Sequence, residues 1–270
     1  MPLKPDSNPL GIPFIELQSV DSTNKYAMTL VHEGIAQHGY TVMSHEQTAG
    51  KGQRGKKWST GKDNLAISII ANPYPLRPSE GFKLITCTTI AVYDFFYKYA
   101  GIDTKIKWPN DIYWCDRKAG GILIENVIGS FESGIQSQES GMQSPMSEEW
   151  KWTVIGIGIN INQTTFSADL PNPVSLKQVT GKKFDTVSLA KELCQILDKY
   201  FREITNGEFQ KYFNRYLRAL YKKDEKVKLK KGSRVFEASI KGVSEIGELI
   251  VQHSMEERFE FGEVEWLVDY

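Results

Sequence analysis

The chain has no net charge: Lys and Arg together number 33, as do Asp and Glu, in 270 residues. No overall field exists to hold it on nucleic acid or on an anionic membrane, so neither is an expected partner. Cysteine is scarce. Cys87, Cys115 and Cys194 are scattered, odd in number and without metal-ligand spacing, which argues against a disulfide framework or a dedicated metal site and fits a reducing compartment. Long apolar runs are missing too, and the opening "MPLKPDSNPLG" has no apolar h-region, so the expected location is cytoplasmic. No internal repeat is present. What is there is ordinary for a globular chain, 40% hydrophobic and 24% charged, with length for one large domain and a small one.

Along the chain, "VDSTNKYAMTLVHEG" reads as a helix that Asp21, Ser22 or Thr23 can cap and Gly34 stops. "YTVMSHE" alternates like a strand, and "NLAISIIAN" is a buried strand by its β-branched run. Apolar residues from Phe82 to Tyr99 fit a buried helix, and "TKIKW" and "DIYWC" flank Pro109-Asn110 as two strands around a turn. "GGILIENVI" and "KWTVIGIGININ" are further strands. The segment between Gly129 and Glu149 is Ser/Gln/Gly-rich and reads as an inserted hairpin loop. Two amphipathic helices follow, one marked by Leu193 to Ile204 and one by "EFQKYFNRYLRALY". After Lys222 four short segments, "EKVKLKK", "RVFEASIKGV", "GELIVQH" and "ERFEFGEVEWLV", predict a small β-barrel. The expected division is a catalytic domain over 1–222 and a barrel over 223–270.

Chemistry concentrates in a few places. "HEQTAGKGQRGKKW", His45 to Trp58, combines glycines that let backbone approach a ligand with lysines and an arginine that attract an anion. Alone, such a loop is more often a solvated turn. Gly50 to Lys56 fits G-x-x-x-x-G-K, but Lys57 stands where a P-loop needs Ser or Thr for Mg²⁺, so that motif fails. In "KWPNDIYW", Pro109 restricts Trp108 and presents Asn110 and Asp111 at a strand end, a pairing that is also a common structural turn. "DRKAGGILIE" puts Lys118 before Gly120 and Gly121, where a ligand can lie against bare backbone. The alternate glycines of "VIGIGININ" signal either close strand–helix packing or the same kind of contact.

Taken in order, "DSTN", "EQTAGKGQRGKKW", "KWPNDIYW", "RKAGGILIE" and "GIGININ" resemble the biotin protein ligases, the biotin–[acetyl-CoA-carboxylase] ligases, from about Leu17 to Asn162. The resemblance implies an α/β catalytic domain with a mixed sheet, class II synthetase-like and related to lipoate ligases, followed by an SH3-like barrel. It also implies ATP-dependent conversion of biotin to biotinyl-5′-AMP, then transfer to one lysine of a biotin carboxyl carrier protein, with Mg²⁺ accompanying ATP. Carried over, Ser22, Thr23, Asn24, Gln47, Gly50, Lys51, Gly52, Gln53, Gly120 and Gly121 belong to the biotin site, together with Lys118. Arg54, Gly55, Trp58, Asn110 and Asn160 belong to the nucleotide and adenylate. Lys118 and Arg54 would meet charge developing at the carboxylate and α-phosphate, and Asp111 the incoming lysine.

The loop departs from the family's G-R-G-R-R-G. Here it reads G-K-G-Q-R-G, so Lys51 keeps charge without the bidentate fork and Gln53 loses charge, which weakens the expected grip on the adenylate. About twenty residues precede "DSTN", too few for the DNA-binding helix-turn-helix some members carry, so a monofunctional ligase, monomer or homodimer, is expected. The alternatives are a lipoate or octanoate ligase or transferase of the same fold, and a non-catalytic nucleotide- or DNA-binding regulator. "GQRGKKW" with "KWPNDI" favours biotin over lipoate. The joint presence of Lys118, Arg54 and Asp111 speaks against lost catalysis.

Overall fold

The computed structural model describes residues 8–58, 63–130 and 148–267. Most of the polar stretch between Gly129 and Glu149 lies outside the described residues. Strand β1 (Phe14–Leu17) leads to helix α1 (Thr23–His32), where the Ser22 side chain accepts from the Lys25 amide as the N-cap and Gly34, at φ 73°, follows the end. Strands β2 (Thr41–Ser44) and β3 (Leu65–Ala71) precede α2 (Gly81–Ala100). The hairpin β4 (Thr104–Lys107) and β5 (Asp111–Trp114) turns at Trp108–Asn110, and the long strands β6 (Arg117–Ser130) and β7 (Glu148–Ile159) follow. Helices α3 (Leu176–Thr180), α4 (Thr186–Thr205) and α5 (Phe209–Ala219) complete this part.

Seven strands form one mixed sheet in the order β1-β2-β3-β7-β6-β5-β4, with β1 and β2 parallel and the rest antiparallel. Both faces are covered, which is why every residue of β3 is buried. Ile67 and Ile69 join the main core beneath α2 and α4, whereas Ile70 and Val154 pack under α1 with Ala27, Leu30 and Val31. The strand pleat thus divides β3 and β7 into a helix-packed face and an α1 face.

Residues 226–267 form a five-stranded antiparallel sheet: β8 (Lys226–Lys231), β9 (Arg234–Val243), β10 (Leu249–Gln252), β11 (Glu256–Phe259) and β12 (Glu265–Leu267), in the order β11-β10-β9-β8-β12. The last predicted strand is two, because the chain turns at Gly262, φ 87°, with Glu263 N donating to Glu260 O. Strand β1 and the one-turn-and-a-half α3 carry too little periodic signal to read from sequence and are additions. The connection from α5 runs along the free edge of β4, where Tyr221 N donates to Ile106 O at 2.7 Å. Across this junction Trp108 Nε1 donates to Gly247 O at 2.9 Å, and Leu229, Ile240 and Val251 belong to the same core cluster as α2.

Candidate functional site

Cross-strand register builds the site. Directly opposed residues in an antiparallel sheet share a face. One row therefore runs Ala66, Gly158, Gly121, Asp111, Lys107 across β3, β7, β6, β5 and β4. A second runs Ser68, Gly156, Leu123, and a third Ile70, Val154, Glu125. Gly121, Gly156 and Gly158 make a trough of bare backbone on the α1 face, while Ile155, Ile157 and Ile159 between them fill the core. The glycine alternation in "VIGIGI" is the strand period itself. It provides both of the things its sequence allows, close helix packing and bare backbone.

Side chains from two segments lie on that backbone. A Cβ at Gly156 would collide with the Asn24 amide, and one at Gly158 with the Trp58 indole. Asn24, buried at the start of α1, donates to Glu125 Oε2 at 2.8 Å and accepts from Ser68 Oγ at 2.6 Å. Thr23 N donates to Gln47 Oε1 at 2.8 Å, and the Thr23 hydroxyl lies 3.1 Å from that oxygen and 2.8 Å from Ser68 Oγ. Ser68 and Glu125 were not singled out from the sequence. The signal was available for Ser68, a lone hydroxyl in the otherwise apolar "LAISIIA".

The basic loop is a short hairpin. Trp58 N donates to Gly50 O, Gly52 N to Lys56 O and Lys56 N to Gln53 O, at 2.9, 2.7 and 3.1 Å. Its tip carries two left-handed residues, Arg54 at φ 56° and Gly55 at φ 75°. Between Ala49–Lys57 and the residues Leu123 and Glu125 of β6 lies a cavity of about 460 Å³, of the size that takes a small organic ligand. Its loop wall is basic, with Lys51, Arg54, Lys56 and Lys57.

Lys118 and Asp111 meet at the trough's end, with Lys118 Nζ 2.6 Å from Asp111 Oδ2 and about 30% of each side chain exposed. Gly121 lies against this pair. A side chain there would stand 3.1 Å from Asp111 Oδ1 and 3.5 Å from the Lys118 amine. Lys118 Nζ is also 5.8 Å from the centre of the Trp58 ring. The turn that presents Asp111 is clamped from below, where the buried Tyr216 hydroxyl donates to Pro109 O at 2.7 Å and Asn110 Nδ2 donates to Ile122 O at 2.8 Å. Burial lifts the Tyr216 phenol well above its ordinary range, and the Asp111 charge adds to this.

Other expected residues are engaged elsewhere. Gln53 Nε2 donates to Ile122 O at 3.3 Å. Gly120 lies in the sheet, where a Cβ would stand 2.9 Å from Gly158 O. Asn160 Nδ2 donates to Val174 O at 3.2 Å and Lys118 O at 3.4 Å, so its amide pins the backbone behind Lys118. Arg54 is held at the C-terminal sheet. Its Nη1 donates to Gly262 O at 2.6 Å, and its guanidinium carbon lies 5.8 Å from the Phe261 ring centre, in the turn between β11 and β12. A side chain at position 262 would occupy the space the guanidinium fills. Among the described residues, no three His, Cys, Asp or Glu side chains cluster as a metal site, and no helix is long and apolar enough to cross a membrane.

Comparison with known proteins gives this arrangement its relatives. The model of the Biotin/lipoate A/B protein ligase family matches residues 16–136, which hold α1, the basic loop, Asp111 and Lys118. The bifunctional ligase/repressor BirA of Bacillus subtilis (strain 168) is 32% identical over 194 residues, covering 70% of this chain and 54% of that protein. This chain thus spans little more than half the length of that relative. The biotin–[acetyl-CoA-carboxylase] ligase of Paracoccus denitrificans is 26% identical over 246 residues, 87% of this chain and 92% of that protein. Among solved structures, the biotin protein ligase from Aquifex aeolicus in complex with biotin and ATP superposes with a TM-score of 0.75 at 22% identity, covering 95% of this chain and 99% of the other. At that identity the structural likeness is one of fold, and it extends over the C-terminal sheet as well. Residues 16–136 thus carry a Biotin/lipoate A/B protein ligase domain, and the proteins the chain resembles over most of its length include biotin ligases.

Proposed function

We propose that the chain is an ATP-dependent biotin ligase, with residues 1–222 as catalytic unit and 223–270 as an SH3-like second unit. It forms biotinyl-5′-AMP and transfers biotin to a lysine of a biotin carboxyl carrier protein in the cytoplasm. The observation that carries the reading is the Lys118–Asp111 pair at the end of a glycine trough, beneath a basic loop. One cation beside one carboxylate suits a reaction that gathers negative charge and then requires a neutral amine.

In the first half-reaction the biotin carboxylate attacks the α-phosphorus of ATP. A carboxyl oxygen–phosphorus bond forms, the α–β phosphate bond breaks, and pyrophosphate leaves with the electron pair. An ammonium has three donors. Lys118 can therefore keep Asp111 and still donate to the carboxylate and α-phosphate oxygens, where Arg54 would join it after leaving Gly262. Mg²⁺ carried in with ATP supplies charge neutralisation on the pyrophosphate, and no residue of the chain is assigned to hold it. Ser22, Thr23, Asn24 and Gln47, braced by Ser68, supply the polar wall for biotin, with Gly50, Lys51, Gly52, Gln53 and the Gly120–Gly121 backbone around it. Gly55, Trp58, Asn110 and Asn160 border the nucleotide. In the second half-reaction the acceptor ammonium gives a proton to Asp111 and the amine attacks the acyl carbon. As the adduct collapses, the acyl–oxygen bond breaks, AMP leaves with that pair, and the nitrogen loses its second proton to solvent.

Pyrophosphate release on mixing the protein with biotin and ATP tests the reading. Release with lipoate or octanoate but not biotin would replace it by the sister activity. Gly156→Ala is expected to weaken biotin binding at least tenfold, because the added methyl evicts Asn24 from Ser68 and Glu125. Overpacking of this kind costs about 1–3 kcal/mol of stability. Isothermal titration with biotin checks it, and wild-type affinity would remove Asn24 from the biotin wall.

A further inference from the structure

Glu125 lines the cavity under the basic loop, beside Ala49 and Gly50, and its Oε2 accepts from Asn24 Nδ2 at 2.8 Å. A carboxylate only accepts, so this contact fixes which way the Asn24 amide faces, Nδ2 to Glu125 and Oδ1 to Ser68. A longer contact from Nδ2 to Leu123 O, at 3.5 Å, favours the same direction. Asn24 Oδ1 carries no proton, so the Ser68 hydroxyl must place its own there, at 2.6 Å. Two more oxygen contacts follow, Ser68 to Thr23 at 2.8 Å and Thr23 to Gln47 Oε1 at 3.1 Å. The Thr23 hydroxyl has one proton for the two. Thr23, Asn24 and Ser68 are all buried, where an oxygen contact without a proton is costly. The chain is one donor short.

Turned over, Asn24 would donate to Ser68, Ser68 to Thr23 and Thr23 to Gln47, and every contact would hold a proton without any ligand. Glu125 blocks that state, because it would set Asn24 Oδ1 against a carboxylate. We propose that Glu125 is a positioning residue for substrate selection, holding this buried chain one proton short so that the wall favours an acid whose ring carries N–H donors. This rests on the biotin side of the ligase reading above. The cyclic urea of biotin has two such N–H groups, whereas a dithiolane or an alkyl chain has none. The acid's own charge is kept apart from Glu125. Gly121, beside Lys118 and Asp111, is four residues away along β6, about 13 Å at roughly 3.3 Å per residue. The anionic end thus meets Lys118 and the neutral ring meets the acceptor-rich wall.

Isothermal titration of the whole chain with biotin and with its two ring N-methyl derivatives, each lacking one N–H, tests this. Glu125→Gln keeps the shape but lets Asn24 turn over, and Glu125→Lys, a donor, requires it to. Both variants are expected to bind biotin about tenfold more weakly, the scale of one neutral hydrogen bond. Glu125→Lys adds a cation to a site for an anion, so its loss cannot be electrostatic. At least one N-methylation should cost the wild-type protein about tenfold, and cost both variants much less. With biotin and ATP saturating, pyrophosphate release should keep its wild-type rate, as for a contact made equally in ground and transition states. Equal N-methyl penalties in all three proteins, or unchanged biotin affinity in both variants, would overturn the inference. So would a saturated rate that falls along with the affinity, which marks Glu125 as a packing residue. A wild-type protein that binds biotin yet releases no pyrophosphate overturns the ligase reading alone, and one that does not bind biotin removes both.

Discussion

Replacing Lys118 by Ala should lower biotin- and ATP-dependent pyrophosphate release by about 10²–10³-fold, the usual effect of removing one preorganised charge from a transition state. The substitution takes away the cation bound to Asp111 at 2.6 Å and leaves the trough facing two anionic reactants. Arg54 is a poor substitute while its guanidinium is tied to Gly262 O. The fold should survive. Both partners are about 30% exposed, and an ion pair of that kind contributes roughly 0–1 kcal/mol to stability. Continuous pyrophosphate assay and thermal unfolding, run together, separate the two effects. Release at the wild-type rate from a folded variant would take Lys118 out of the chemistry.

Asp111→Asn should act on the other half-reaction. With preformed biotinyl-AMP, transfer to the acceptor lysine should slow by about 10²-fold, the lower range for loss of a positioned proton acceptor. The structure sharpens the reason. Oδ2 is held by Lys118, while Oδ1 lies beside the bare backbone of Gly121, so one carboxylate oxygen remains for the incoming ammonium. Asn keeps the shape and a hydrogen-bond acceptor for Lys118, yet cannot take the proton. Lys118, not Lys107, is the cation that holds Asp111. Transfer at an unchanged rate between about pH 6 and pH 9 would leave Asp111 with only its Lys118 contact to explain it, and adenylate formation, measured in parallel, would report any damage to that contact.

Much of the site was legible as local pattern. The Ser22 cap, the β-branched run of β3, the turn at Pro109 and the glycine-rich basic loop each follow from the conformational preferences of a few adjacent residues. Other parts had no local signal. Arg54 and Gly262 are 208 residues apart, and the five-residue α3 and four-residue β1 are too short for a periodicity to register. Glu125 looked like one carboxylate in a strand until register put it in the row beside Asn24.

The division has a physical cause. A strand's own residues determine that alternate side chains share a face, because the pleat repeats every two residues, so "VIGIGI" by itself established one face of isoleucines and one of glycines. Which face met the core and which met α1 depended on the neighbours. So did the pairing of Gly121 with Asp111, the reach of Lys118 across it and the seat of Lys107 against Trp266. Those contacts join segments whose order in the chain says little about their distance in space, and only the folded sheet, by pairing β4, β5, β6 and β7 in one register, decided them.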